Sequence, residues 1–261
     1  MTSTRMALPL ALLSIAILMG CGDDPIPTAP GPPAAVGWQL EVPALQGTLH
    51  AVWGSDAANV IAVGDVGEIL HHDGSRWSRM SSGTSESLRG IWGSSDRNVF
   101  VVGSAGTALH YDGADWTPMV SGTSVTLRDA WGTSPIDVFA VGEGVILHYD
   151  GTTWHTMVST TRVFFYDVWG VSGTDVYVAS TDGILHYDGT QWTPVPSGVS
   201  AWLFGVWGTA GTDIFAVGAQ GTIRHFDGVT WTIMRSGTTE HLRSVWGLAA
   251  DDVYAVGDHG T

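Results

Sequence analysis

The chain of 261 residues has little to titrate and almost nothing to cross-link. It contains one cysteine, five glutamates and no lysine, and charged residues make up 13% of it. One cysteine rules out an internal disulfide framework and a thiolate metal cluster. The missing lysines reflect coding composition, since all ten basic residues are arginine. With 25 acids against those ten arginines, the formal charge is −15. So acidic a surface repels phosphate backbones and anionic headgroups, which argues against a nucleic-acid partner. Beyond the first twenty residues no stretch has a helical period, and no Gly-x-Ser-x-Gly elbow, His-Glu-x-x-His, P-loop or EF-hand spacing occurs. What remains is 44% apolar with 35 glycines, the composition of a folded and turn-rich protein.

The lone cysteine stands at an informative place. Arg5 is followed by an apolar run, Met6 to Met19, too short to span a bilayer comfortably, which ends in Leu18-Met19-Gly20-Cys21. This junction resembles the lipobox of bacterial lipoproteins. The resemblance implies a signal peptide over 1–20, cleavage before Cys21, and a diacylglycerol thioether on its sulfur. Gly22 after the cysteine then implies the outer membrane or cell surface. Residues 21–36 are rich in proline and small side chains, cannot build a core, and read as a stalk.

Residues 37–261 repeat themselves. A Trp-Gly pair recurs at Trp53, Trp92, Trp131, Trp169, Trp207 and Trp246, at spacings of 39, 39, 38, 38 and 39. A second series, Trp38, Trp77, Trp116, Trp154, Trp192 and Trp231, precedes it by 15 residues each time, so only Trp202 of thirteen tryptophans is aperiodic. Each unit holds four short strand-like runs separated by turn residues, for example 88–92, 98–103, 107–112 and 116–120. Four strands per unit of about 39 residues is the blade of an all-β propeller, here with about six blades. The first strand, Trp38 to Val42, is a fourth-type strand and is expected to close the last blade; that blade has no third strand before Thr261, which suggests a truncated fragment or further blades. The units are similar to kelch and Asp-box repeats in the Gly after the second strand, the Tyr-Asp before a turn and the Trp opening the fourth strand.

The run Leu-His-Tyr-Asp-Gly-Thr-Thr-Trp at 147–154 looks like chemistry but reads as architecture. Its histidine recurs as His71, His110, His148, His186 and His225, and its aspartate as Asp73, Asp112, Asp150, Asp188 and Asp227. Each copy belongs to the third strand of a different blade, roughly 10 Å out from the innermost strand at about 4.8 Å per strand, so the copies cannot share a metal ion. Asp-Gly is also a turn dipeptide. No cofactor, no metal and no catalytic residue is therefore expected.

Departures from the repeat are the candidate sites. Five positions before each Trp-Gly stand Thr48, Ser87, Thr126, Phe164, Trp202 and His241; three before it stand His50, Arg89, Arg128, Tyr166, Phe204 and Arg243. The last three units replace small hydroxyls by rings. The expected ligand site is thus Phe164, Tyr166, Trp202, Phe204, His241 and Arg243, on one sector of the rim, with Arg162 on the loop just before them. The expected function is a surface-anchored, monomeric lipoprotein whose propeller binds a protein or glycan outside the cytoplasm without catalysis. The alternative is a carbohydrate-active enzyme, a hydrolase or lyase, for which Asp129 and Asp167 are the one carboxylate pair outside the turns.

Overall fold

The computed structural model describes residues 45, 47–196 and 201–261, and within them the chain is an all-β propeller. Blade one consists of β1 (Leu49–Asp56), β2 (Asn59–Gly64), β3 (Ile69–His72) and β4 (Trp77–Met80), paired antiparallel in chain order. Blade two repeats this with β5 (Leu88–Ser95), β6 (Asn98–Gly103), β7 (Ala108–Tyr111) and β8 (Trp116–Pro118). Blades three and four share one continuous sheet through β9 (Leu127–Ser134), β10 (Asp137–Tyr149), β11 (Trp154–Ser172), β12 (Asp175–Ser180), β13 (Gly183–Tyr187) and β14 (Trp192–Val195). Blade five is β15 (Leu203–Ala210), β16 (Asp213–Gly218), β17 (Ile223–Phe226) and β18 (Trp231–Met234). Of blade six, β19 (Leu242–Ala249) and β20 (Asp252–Gly257) are described.

The fusion of blades three and four departs from the expected four-strand unit and has a local cause. In the other described passages between blades the chain turns on a left-handed glycine, Gly83 (φ 73°), Gly122 (φ 75°) or Gly237 (φ 76°). The equivalent residue here is Thr160, whose β-branched side chain disfavours that region, and the strand runs on. Arg162 consequently lies inside β11 and not on a connecting loop, which corrects the expectation from sequence.

The inner strands β1, β5, β9, β11, β15 and β19 stand side by side in succession. The Trp-Gly motif explains how they are held. The first five indoles each lie on the glycine of the next blade's motif: an added Cβ at Gly93 would sit 2.7 Å from Trp53, at Gly132 3.0 Å from Trp92, at Gly170 2.6 Å from Trp131, at Gly208 2.8 Å from Trp169 and at Gly247 2.7 Å from Trp207. The motif is therefore its own receptor, Trp of one blade on Gly of the next. Between these contacts, apolar residues of each second strand meet the next inner strand, as Phe215 and Val217 meet Leu242 and Val245. An aromatic of this size removes about 150–250 Å² from water, roughly 4–6 kcal/mol of gross transfer energy. The fourth-strand tryptophans stack within their own blade, Tyr111 on Trp116 at 5.0 Å and Tyr187 on Trp192 at 5.2 Å, and Trp192 also meets Phe139 of the preceding blade edge-on. The strand expected over Trp38 to Val42 lies outside the described residues, as do Cys21 and the stalk.

Candidate functional site

The recurring Asp-Gly and His are placed as turn and brace. Asp150 Oδ1 accepts the backbone N–H of Thr152 at 2.8 Å and of Thr153 at 2.9 Å, while Gly151 takes φ 94°. Asp73, Asp112, Asp188 and Asp227 do the same. The histidine reaches back to the first residue of the second strand: His148 to Asp137 at 2.7 Å, His186 to Asp175 at 2.8 Å, His225 to Asp213 at 2.7 Å and His71 to Asn59 at 2.7 Å. Thr133 and Thr209 donate to the other oxygen of Asp137 and Asp213. Although Thr, Asp and His are linked, the carboxylate lies between the other two, so the imidazole cannot deprotonate the hydroxyl as a nucleophilic triad requires. Blade two breaks the pattern. Asn98 turns its amide to Ser95, and the buried Nε2 of His110 has no partner. Burial holds the His110 pKa below the usual histidine value.

Asp129 and Asp167 do come together. They occupy equivalent positions on the adjacent inner strands β9 and β11, and Asp129 hydrogen-bonds the Asp167 carboxylate. Both keep some exposed surface yet are surrounded by protein, and burial pushes both carboxyls up, Asp129 further because it also feels the Asp167 charge. Each has a further task. Asp129 Oδ2 accepts Val168 N–H at 3.1 Å and Asp167 Oδ2 accepts Val206 N–H at 2.8 Å, so each acid ties its strand to the next blade's inner strand. At this position the strands nearly touch: a Cβ on Gly90 would lie 2.5 Å from Asp129 Cα. The pair is built into the seam between blades.

The rim offers a different arrangement. In every described blade the inner strand carries a β-bulge between the fourth and second residues before the tryptophan, for instance between Leu49 and Ala51, Leu88 and Gly90, or Phe165 and Asp167. The extra residue is His50, Arg89, Arg128, Tyr166, Phe204 or Arg243. A bulge re-aims its side chain out of the ladder, and here it does so once per blade on six neighbouring strands. Four of these side chains, with His241, form a contacting series. The Arg128 guanidinium lies over Tyr166 at 5.2 Å, Tyr166 meets Phe204 edge-on at 5.0 Å, and Phe204 meets His241 at 5.8 Å and the Arg243 guanidinium at 4.7 Å. Three of the bulged residues are paired to an acid 15 residues further on: His50 with Asp65 at 2.8 Å, Arg128 with Glu143 at 2.9 Å, and Arg243 with Asp258 through two bonds of 2.9 Å. His50 and Ser87 hold the Asp65 carboxyl down at about 2, and Arg243 holds Asp258 below the usual range.

The expected site residues divide as follows. Tyr166, Phe204, His241 and Arg243 are in mutual contact. Trp202 (54% exposed) and Phe164 (40%) occupy equivalent places just before the bulges of neighbouring blades, and Arg162 is exposed nearby on β11. Phe204 is only 7% exposed, so it supports its neighbours and offers little face of its own. His241 Nδ1 accepts the Gln220 backbone N–H at 3.0 Å, which fixes its ring. Sequence reasoning aligned Arg89 and Arg128 with these residues but left them out of the site. The signal that would have included them is the bulge, which appears only in the register.

No family model matches the chain, and no curated relative matches it. Solved structures do. The WD40 β-propeller domain of Doa1 is similar at a TM-score of 0.68 and 13% identity, over 86% of this chain and 84% of that one. YCF48 from Cyanidioschyzon merolae is similar at a TM-score of 0.61 and 13% identity, over 77% of each chain. At such identities the likeness is one of fold, and the fold is a β-propeller of repeated four-stranded sheets.

Proposed function

We propose that this chain is a surface-anchored bacterial lipoprotein whose kelch-like propeller is a non-catalytic binding module for a protein or glycan. The observation that carries the reading is the bulge-presented rim, where Tyr166, Phe204, His241 and Arg243 touch one another and exposed Trp202 and Phe164 flank them. Rings exposed beside planar guanidinium groups are the usual anchors of protein recognition, and a bare indole face also stacks on sugars. The acids and histidines that would suggest catalysis are occupied otherwise: Asp129 and Asp167 each hold a neighbouring strand, and the repeated histidines brace turns. The Leu-Met-Gly-Cys junction supports attachment through Cys21.

The reading is tested by screening the full mature protein against glycan and peptide arrays, beside a Trp202→Ala variant. Ligands lost in the variant support it; ligands retained by the variant, or turnover of an arrayed glycan, refute it. For the anchor, detergent phase partition of wild type and Cys21→Ser is decisive. Wild-type protein in the aqueous phase would end the lipoprotein reading.

A further inference from the structure

Resting on the rim reading above, we propose that Arg89 and Arg128 form a subsite for a carboxylate of the bound protein segment. Four of the six bulged positions carry a cationic or protonatable side chain, and three of these face an acid 15 residues further on. The fourth, Arg89, faces Ser104, and its Nε reaches that hydroxyl at only 3.5 Å. Among the described residues, then, a half-buried guanidinium stands on the rim without the carboxylate its equivalents possess. Its neighbour is incompletely used as well. Arg128 gives one Nη2 to Glu143, while its buried Nε has no acceptor.

The two arginines are on touching strands. Gly90, next to Arg89, approaches so closely that a Cβ would sit 2.9 Å from the Arg128 carbonyl oxygen. A guanidinium presents a planar fork of donors that matches a carboxylate, and the half-buried Arg89 fork, with no acid beside it, gains a charge-assisted pair when one arrives. A carboxylate is favoured over phosphate because Asp65, Glu143 and Asp258 lie on the same rim of a chain with formal charge −15, where a second negative charge is penalised. A protein segment is favoured over an acidic sugar by the rings beside the arginines. Phe204 is only 7% exposed and Tyr166 has Arg128 over its ring and Phe204 packed edge-on against it, so these two rings offer a pyranose little open face.

The test uses the full chain with 15N-labelled arginine and four probes: N-acetylphenylalanine, its amide, glucuronate and inorganic phosphate. NMR titration of the arginine Nε–H signals reads affinity and place together. The acid is expected to bind roughly tenfold or more tightly than the amide, the range of a charge-assisted hydrogen bond. It should shift the Arg89 and Arg128 signals. Arg89→Gln should abolish the difference between acid and amide, while Arg97→Gln, on an exposed turn, should preserve it. Equal affinity for acid and amide, or a preference that survives Arg89→Gln, would overturn the subsite while leaving the aromatic rim standing. Tighter binding of phosphate or glucuronate at these signals would overturn the assignment to a protein carboxylate. Failure of both phenylalanine compounds to bind would overturn the subsite and the rim reading together.

Discussion

The indole of Trp131 lies on Gly170 of the next blade, so close that a Cβ there would be 2.6 Å from the ring and 2.9 Å from the Asp175 carbonyl. Nothing in the Gly170 backbone requires glycine, since its φ is not left-handed. The requirement is purely one of space. Gly170→Ala should therefore destabilise the protein by about 1–3 kcal/mol, the cost of overfilling a packed contact. Denaturant unfolding measures it. In a Trp131→Ala background the same substitution should cost less, because the larger obstacle is gone. Identical costs in both backgrounds would show that the Trp-on-Gly contact is not what holds adjoining blades.

Blade two invites a stabilising change. His110 Nε2 is buried without a partner, whereas His148, His186 and His225 each meet an aspartate at the start of the second strand. Asn98→Asp places that acid opposite His110. It should raise the His110 pKa from its depressed position and add about 0.5–1.5 kcal/mol of stability, one hydrogen bond's net worth. A histidine NMR titration and a urea melt test the two halves separately. An unchanged His110 pKa would mean that the new carboxylate, like the amide, prefers Ser95.

Much of this was legible in sequence, and the reason lies in repetition. Trp53 to Trp246 could be read as blade markers because a period of 38 or 39 residues has no other economical explanation, and the Asp-Gly turns followed from local chemistry at Asp73 or Asp150. Three features lay beyond reach. That Trp53 meets Gly93 depends on how adjacent blades pair, which a spacing does not contain. The bulge at Arg89 is a shift in register between two strands, invisible in either strand alone. The continuation of β11 through Arg162 turned on one glycine replaced by Thr160, against a pattern the other blades obeyed.

Asp129 and Asp167 make stability fall with rising pH. A carboxyl whose folded pKa is raised binds its proton more tightly in the folded state. Its contribution is complete below the unfolded value of about 4 and is lost as pH rises through the folded value. For Asp129 the cause is burial first and the Asp167 charge second. The exposed turn aspartates, held low by hydrogen bonds, act in the opposite sense and only in acid, as pH falls below about 4. Asp129→Asn keeps an oxygen for Val168 N–H and offers an amide donor to Asp167. The wild type should lose stability as pH rises above about 4, and the variant should lose less. Parallel curves for the two proteins from pH 5 to 9 would contradict a shared proton in this seam.

The rim is most directly challenged at Trp202. Its carbonyl, not its ring, meets the structural hydrogen bond from Ala219 N–H at 2.8 Å, so truncating the side chain spares the backbone contact. With the residue 54% exposed, about half of its surface is already in water, and Trp202→Ala should cost less stability than truncating a buried ring. Binding should respond differently. An exposed indole that becomes covered by a ligand is worth on the order of 1–3 kcal/mol, or roughly tenfold to a hundredfold in affinity. Val229→Ala, at an exposed outer turn, serves as the comparison, since it removes apolar surface from the wrong place. Tyr166→Ala should weaken binding too, but with some loss of stability, because its ring lies under Arg128 and packs edge-on with Phe204. The three variants thus separate recognition from support. If Trp202→Ala binds as wild type does while Val229→Ala is impaired, the ligand contacts the outer edge of the blades and the bulged ring is no more than a brace.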